Sequence, residues 1–520
     1  MTNKQLIQKL TSNLNEANQV FPLDLSLEET VNVYPKSINK INGDFLFIAR
    51  KGIDKYLYII LLDGNKSTIE KFQGEILQNT WFEATTFVKQ CRLTHRNSLI
   101  IRQLFDFTRP VLIGLQNSIG LGDRLGVANP GHIRAIAGTN LKPILAQQSI
   151  RELQRTQRKP EEVLDAATWA VFQEGFKNGF GADADHLKTP EDIDLMVNAG
   201  FTMFTIDPSQ YVVNESSQLY LHELQSRAEE LPWELLNDSF ENVMARYENK
   251  SYSITIDYRI RASREEVMRA LVKYGGVIAH TNKMYQHLKE KYPTYPFELE
   301  LSVDETDSPT TSFEHFFVVN ELKRRSISLI SFAPRFVGDF EKGIDYKGNL
   351  EKFKEEYLKH VKISELLGPY KISFHSGSDK FSIYEAVGEL GQGYIHIKTA
   401  GTSYLEALRT LADKKPDLFR EILDFARDQF EIEKATYHVS AAIENVLSSD
   451  NFTDNQLLEL FDQNDARQVL HVTFGKVLTF KDENGKYLFR DRILNSLKEH
   501  EEIYNDYLQN HFRRHIKPFI

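Results

Sequence analysis

Tyr370-Lys-Ile-Ser-Phe-His-Ser-Gly-Ser-Asp-Lys380 and Gly393-Tyr-Ile-His-Ile-Lys-Thr-Ala-Gly-Thr402 are the two stretches around which this chain is organised. Each is a short apolar, β-branched run that breaks into a polar loop containing glycine. Consecutive breaks of this kind are typical of the last two strands of a (β/α)8 barrel, whose loops offer backbone N–H groups to an anionic part of a substrate. We therefore interpret them as strands seven and eight.

Six similar breaks lie upstream and complete eight strand-then-helix units. The predicted strands one to six are 110–115, 142–146, the segment running into Gly179-Phe-Gly-Ala-Asp-Ala-Asp-His-Leu-Lys188, 201–206, 297–303 and 326–331. This order predicts an α/β fold, a (β/α)8 TIM-like barrel within residues 106–407. We interpret residues 1–105 as an N-terminal α+β cap domain and residues 408–520 as a mainly helical C-terminal extension with a structural role.

Two segments depart from a minimal barrel. Residues 208–292, between strands four and five, form an insertion far longer than the usual connection, which predicts a lid or an oligomer arm. The glycine-rich loop 120–126 lacks the glycine spacing of a dinucleotide fingerprint, and no acid-ended strand follows at the right distance. We therefore predict no nicotinamide site and interpret Asp123 and Arg124 as residues that fix this loop.

The composition excludes several classes of protein. The 520 residues carry 63 Lys and Arg against 73 Asp and Glu, a net charge of −10 without a basic stripe, which argues against a nucleic-acid partner. Cys91 is the single cysteine, so no disulfide or thiolate metal site can form within the chain. With no signal core and no membrane-length apolar run, we expect a cytoplasmic protein with no membrane partner. A homo-oligomer is left open.

The ionisable residues that follow the predicted strands form the candidate site, because barrel enzymes carry their chemistry at the C-terminal strand ends. His186 and His375 each end an apolar strand beside a polar loop, and two such histidines with a carboxylate predict a divalent metal site. His396 instead alternates with Ile395 and Ile397 and is interpreted as a core histidine. The other candidates at strand ends are Asp185, Asp207, Asp304, Glu305, Arg335, Glu341 and Lys398.

Four segments of the barrel carry a family resemblance. They are Phe180-Gly-Ala-Asp-Ala-Asp-His-Leu-Lys188, Phe332-Ala-Pro-Arg-Phe-Val-Gly338 with Phe340-Glu-Lys-Gly-Ile-Asp-Tyr346, Phe374-His-Ser-Gly-Ser-Asp-Lys380 and His396-Ile-Lys-Thr-Ala-Gly-Thr-Ser-Tyr404. Together they resemble the tagaturonate epimerase family. The resemblance implies an isomerase that interconverts the small-molecule hexuronates D-tagaturonate and D-fructuronate in hexuronate catabolism. It also implies one divalent metal ion, with zinc, manganese, cobalt or nickel as candidates.

A more distant similarity, to zinc-dependent class II aldolases, implies a set of metal ligands. Those enzymes have an Asp-His pair ending strand three, a ligand loop after strand six and a Phe-His-Gly-Gly-Ser loop after strand seven, where this chain has Ser376. The resemblance implies His186 and His375 as ligands, with Glu341 in the place of the ligand after strand six. The competitors for that third position are Asp339 and Glu305.

The reaction implied by the resemblance favours retro-aldol chemistry. The two uronates differ at a carbon β to the ketone, where the carbonyl does not acidify the C–H bond. Cleavage and re-addition can invert this carbon, with the metal as Lewis acid. Asp185 would take the hydroxyl proton with Asp304 or Glu305 as counterpart, and Asp207 is an alternative base. The predicted residues for the substrate carboxylate are Arg335, Ser376, Gly377, Lys380, Lys398 and Gly401.

Two other functions remain open at this point. A class II metal-dependent aldolase acting on a keto-sugar acid would use the same residues and would release its fragments. A non-enzymatic barrel that binds a sugar acid is the second alternative. The concentration of carboxylates and histidines at several strand ends argues against a purely binding protein.

Overall fold

An antiparallel sheet of seven strands precedes the barrel. The computed structural model describes the chain except for residues 1–2, 17–18, 27–28, 63–69, 79, 81 and 84. The first strands and helices are α1 (Asn3–Glu16), β1 (Phe21–Asp24), β2 (Thr30–Val33), β3 (Asn39–Ile41), β4 (Asp44–Lys51), β5 (Asp54–Leu61), β6 (Glu75–Ile76), β7 (Phe87–Arg92) and α2 (His95–Leu104). Alternate residues of β4 face opposite sides, so Phe47 packs with Leu10 of α1 and Ile48 packs in a cluster with Trp169 of the barrel.

Eight parallel strands close into a barrel, as predicted. They are β8 (Ser118–Leu121), β9 (Lys142–Ser149), β10 (Gly181–Leu187), β11 (Met203–Ile206), then, after β12 (Ser251–Ser253) and β13 (Arg259–Arg261) of the insertion, β14 (Glu298–Ser302), β15 (Ser331–Ala333), β16 (Lys371–Phe374) and β17 (Ile395–Thr399). Strand β17 pairs with β8 and closes the ring. The fold prediction is therefore confirmed.

Helices surround this barrel. They are α3 (Asn129–Ile136), α4 (Ile150–Thr156), α5 (Pro160–Glu174), α6 (Pro190–Ala199), α7 (Leu221–Glu229), α8 (Trp233–Leu236), α9 (Phe240–Tyr247), α10 (Arg264–Lys291), α11 (Ser312–Arg324), α12 (Leu350–Leu367), α13 (Phe381–Leu390) and α14 (Thr402–Lys414). Local sequence sets their ends. At α6, the Thr189 hydroxyl accepts the Asp192 N–H, Pro190 begins the helix, and Gly200 ends it at φ 99°.

Two predicted strands are wrong in position. Strand one is Ser118–Leu121, whereas segment 110–115 closes the N-terminal end of the barrel, where Ile113 packs against Ile144 and Met203. Strand six is Ser331–Ala333, because Ser326 at φ 60° ends the turn after α11 and delays the strand. In both cases an apolar run was mistaken for a strand, since a short buried run does not reveal its backbone conformation.

Helix α10 changes the interpretation of the insertion. Residues 208–292 were predicted as a lid or an oligomer arm, yet α10 contacts both α6 and α11 and occupies the place of a barrel helix. It begins at a capping box, in which the Ser263 hydroxyl accepts the Glu266 N–H. The added structure is therefore confined to the segment before Ser263.

The C-terminal extension is helical and reaches the barrel mouth. Its helices are α15 (Pro416–Glu433), α16 (Asp454–Leu457), α17 (Asn464–Val472), α18 (Phe474–Thr479), α19 (Arg490–Glu499) and α20 (Glu501–Ile516). Arg467 of α17 and His511 of α20 both bind the buried carboxylate of Asp379, in the loop after β16. The extension thus holds that loop in place. No helix among the described residues is long and apolar enough to cross a membrane.

Candidate functional site

A cavity in two connected chambers lies at the C-terminal end of the barrel. The inner chamber has a volume of about 50 Å³, and the outer chamber has a volume of about 450 Å³. The inner chamber includes Asp185, His186 and Lys398. The residues shared by both chambers are Arg151, Asp304, Lys342, His375, Ser376 and Tyr437.

A bulge at the end of β10 places two adjacent side chains in this cavity. Neighbouring residues of a regular strand point to opposite faces. The register shifts between Ala184 and Leu187, and His186 has φ 55°, in the left-handed region. The bulge turns the His186 ring toward the mouth beside Asp185, so both line the inner chamber.

Each of the two predicted histidines has one ring nitrogen against a carboxylate and the other directed toward Asp304. His186 Nδ1 lies 2.7 Å from Asp185 Oδ1, and its Nε2 lies 3.9 Å from Asp304 Oδ1. His375 Nε2 lies 2.8 Å from Glu300 Oε1, and its Nδ1 lies 3.3 Å from Asp304 Oδ1. Metal-binding histidines are typically oriented in this way, with the other N–H donated to a carboxylate.

The charge around these histidines fits a divalent cation. Lys398 Nζ lies 2.7–2.8 Å from the oxygens of Asp183, Asp185 and Glu300, and it can neutralise one charge of that group. Burial opposes charge on His186, but Asp185 outweighs it and raises the pKa to about 10. The cluster therefore carries excess negative charge beside two imidazoles, the donor set of a borderline divalent metal.

Glu341 does not join this cluster. Its carboxylate accepts hydrogen bonds from the Ser440 backbone N–H (2.9 Å) and the Gln468 amide (2.7 Å), and it pairs with Lys347 at 3.1 Å. The structure does not bring Glu341, predicted as third ligand, together with the two histidines, because Lys347 and two residues of the C-terminal extension, Ser440 and Gln468, bind its oxygens. Asp304 is the carboxylate nearest His186 Nε2 and His375 Nδ1, and the Ser302 hydroxyl also lies 3.3 Å from His375 Nδ1.

The two competitors for the third position also lie away from the histidines. Asp339 Oδ1 lies 3.3 Å from His438 Nε2, and Glu305 lies 4.0 Å from Arg151. Both carboxylates are about half exposed, with 51% of the Asp339 side chain and 41% of the Glu305 side chain accessible. Glu305 lines only the outer chamber.

Lys398 and Lys380, predicted to bind the substrate carboxylate, have other partners. Lys398 is committed to the three buried carboxylates, so it neutralises the protein's own charge. Lys380 is fully buried, and its ammonium donates to the carbonyls of Glu341 (2.7 Å) and Ile344 (2.5 Å), which joins the loops after β15 and β16. The structure thus gives both ammonium groups partners other than a substrate, because a buried ammonium needs partners within the fold.

The other predicted carboxylate-binding residues divide between the two chambers. Ser376 and Gly401 line the inner chamber, and Arg335 lines the outer one, 3.9 Å from Asp339. The Gly377 N–H donates to the Lys398 carbonyl at 2.9 Å and is therefore already used. His396 is fully buried and contacts Ser118 at 3.0 Å, which confirms it as a core histidine.

Sequence reasoning missed a further group of cavity residues. They are Arg124, Arg151, Lys342, Tyr437 and His471. Tyr437 and His471 come from the extension that was given only a structural role, and a Cβ at Gly401 would lie 1.8 Å from the His471 ring. No sequence spacing connects these positions, although the absence of a side chain at Gly401 marks a close approach.

Comparisons with known proteins identify the family that this chain resembles. A profile of the tagaturonate epimerase family matches residues 34–519. The tagaturonate/fructuronate epimerase of Thermotoga maritima is 43% identical over 426 residues, 82% of this chain and 85% of that protein. A glycerol-bound crystal structure of the fructuronate-tagaturonate epimerase from Cohnella laeviribosi has a TM-score of 0.86 at 37% identity and covers 99% of this chain and 98% of that one. Its native crystal structure gives 0.86 at 38%, with 94% and 96% covered.

Proposed function

Since this chain belongs to the tagaturonate epimerase family, we propose that it interconverts D-tagaturonate and D-fructuronate in cytoplasmic hexuronate catabolism. The observation that carries the proposal is the convergence of His186, His375 and Asp304 at the barrel mouth. A catalytic centre at this position fits the general placement of active sites in such barrels.

His186 Nε2, His375 Nδ1 and Asp304 would hold one divalent ion, with Asp185 and Glu300 orienting the two rings. When bound, this ion supplies Lewis-acid stabilisation of negative charge on the substrate's ketone oxygen. Zinc, manganese, cobalt and nickel all suit two imidazoles and a carboxylate.

The reacting carbon is β to the ketone, so its inversion requires cleavage of the adjacent C–C bond. Asp185 takes the proton of the hydroxyl on that carbon. The alkoxide then forms a C=O double bond as the C–C bond breaks, and the carbon becomes that of an aldehyde. The electron pair of the broken C–C bond passes to the ketone half as an enediolate. The aldehyde turns over, the enediolate attacks its other face, and Asp185 returns the proton, so atoms and charge balance.

Asp185→Asn is expected to slow turnover by roughly 10²–10⁴-fold, because it removes a positioned base. Metal content should stay unchanged, because the amide oxygen can still accept from His186 Nδ1 and the three ligands His186, His375 and Asp304 remain. Stopped assays with fructuronate and elemental analysis measure the two quantities. Loss of metal together with activity would instead make Asp185 a ligand. Near-normal turnover would show that Asp185 is not the base; Asp207, the alternative from the sequence, lines neither chamber and pairs with Lys188 at 3.3 Å.

The function itself is tested on metal-stripped protein reloaded separately with Zn²⁺, Mn²⁺, Co²⁺ or Ni²⁺ and incubated with fructuronate. Proton NMR should show tagaturonate appearing to equilibrium with at least one ion, and no conversion in the stripped protein. Accumulation of three-carbon fragments without tagaturonate would identify an aldolase. Binding of fructuronate without any conversion in all four samples would identify a sugar-acid-binding barrel.

A further inference from the structure

We propose that Lys342 and Arg124 form a basic wall that binds the substrate carboxylate and retains the aldehyde half between cleavage and re-addition. This inference rests on the proposed function and identifies the residues that bind the carboxylate of the substrate. It replaces the role that sequence had assigned to Lys398 and Lys380.

Lys342 lies in the loop after β15 and lines both chambers. Its ammonium donates to Ser376 Oγ at 2.6 Å, a neutral partner. Within the described part of the chain, no Asp or Glu oxygen comes within 4.0 Å of it. Burial and the positive charge of Arg151 lower its pKa, and the carboxylates of Glu305, Asp304 and Glu152, none in direct contact with it, offset only part of that effect. A bound carboxylate would supply the counter-charge that this lysine lacks.

Arg124 is held rigidly with one nitrogen unused. Its Nε and Nη2 both lie 3.0 Å from Glu152 Oε1, and its guanidinium lies 3.6 Å from the centre of the Phe474 ring. The residue is 4% exposed, and its buried Nη1 has no hydrogen-bond partner. Because Arg124 lines the inner chamber, a ligand oxygen there would satisfy Nη1.

The two walls of the inner chamber have opposite charge. Asp185 and Asp304 line the chamber on the metal-site side, with Asp183 and Glu300 buried beside them. Arg124, which pairs with Glu152 and stacks on Phe474, and Lys342, next to Gly343, line it near His471. Burial and these two cations hold the pKa of His471 well below its usual value, so its ring adds no charge. A uronate therefore has one favourable orientation, with its ketone at the acidic wall and its carboxylate at the basic wall.

The position of the carboxylate matters because the two three-carbon fragments carry different groups after the C–C bond breaks. The enediolate half keeps the ketone carbon, and the aldehyde half keeps the carboxylate. An anchored carboxylate allows the aldehyde to rotate about its long axis and prevents its escape. The basic wall would thus separate epimerisation from simple aldol cleavage.

Lys342→Met tests this role, with Lys347→Met as the matched control, since Lys347 is an exposed lysine of the same loop outside both chambers. We expect kcat/KM for fructuronate to fall by about 10–100-fold, the usual loss of a charge-assisted hydrogen bond. Slow turnover of neutral fructose should change less than ~2-fold. The fraction of turnovers ending in free three-carbon fragments should rise. The Arg124→Lys variant, which preserves a cation for Glu152, should change these quantities in the same direction.

A binding measurement separates this inference from the proposed function. D-glycerate carries the carboxylate of the aldehyde half, and glycerol is its neutral counterpart. By calorimetry, D-glycerate should bind wild type at least ~10-fold more tightly than glycerol, and Lys342→Met should abolish the difference. Equal losses on fructuronate and fructose, or an unchanged preference for D-glycerate in Lys342→Met, would overturn the basic wall even in an active epimerase. Reduced fructuronate use without fragment release would overturn the retention role.

Discussion

His375→Ala is expected to remove the bound divalent ion and to lower epimerase activity by at least ~10³-fold, because the Lewis acid contributes several kcal/mol to the reaction. The barrel should stay folded, since His375 lies in a loop at the mouth and its ring contacts polar neighbours of the site. Elemental analysis of the purified variant, circular dichroism and the fructuronate assay measure the three effects.

Glu341→Gln is the matched control for that experiment. The amide keeps an acceptor for Ser440, and the site of Glu341 is separate from the histidines, so metal content should equal that of wild type. Loss of the metal in Glu341→Gln, with the metal retained in Asp304→Asn, would make Glu341 the third ligand and exclude Asp304.

Lys398→Met is expected to destabilise the metal-free protein by about 3–5 kcal/mol, because it leaves three buried carboxylates without their shared cation. Urea denaturation of the stripped protein measures the change. Lys434→Met removes a partly exposed lysine that pairs with Glu431 and should cost less than about 1 kcal/mol.

A double variant distinguishes charge from packing. Asp183→Asn combined with Lys398→Met should recover part of the lost stability, since one of the unpaired charges is gone. A stable Lys398→Met protein that loses fructuronate use and keeps fructose use would contradict this interpretation. It would return Lys398 to the role of binding the substrate carboxylate.

The barrel was predictable because residues close in sequence determine where each of its strands begins and ends. Apolar runs ending in polar loops placed six of the eight strands within a few residues, as at β16 and β17. The strands predicted at 110–115 and 326–331 are wrong in position. The segment that closes the N-terminal end of the barrel and the turn after a helix have the same composition as a short buried strand. Composition within a few residues carries no information on what lies across the barrel.

The same division holds within the site. The sequence alone placed His186, His375 and Asp304 at one barrel mouth, with Asp304 expected as an acid–base residue and Glu341 as the third ligand, because parallel barrel strands all end at one mouth. Tertiary structure alone decided that Lys398 neutralises buried acids. It likewise brought Arg124 and Lys342 into one chamber with His471 of the distant extension. The physical reason is range: strand ends are set by neighbouring residues, whereas the partner of a buried charge is set by strand stagger, bulges and chain segments far away in sequence.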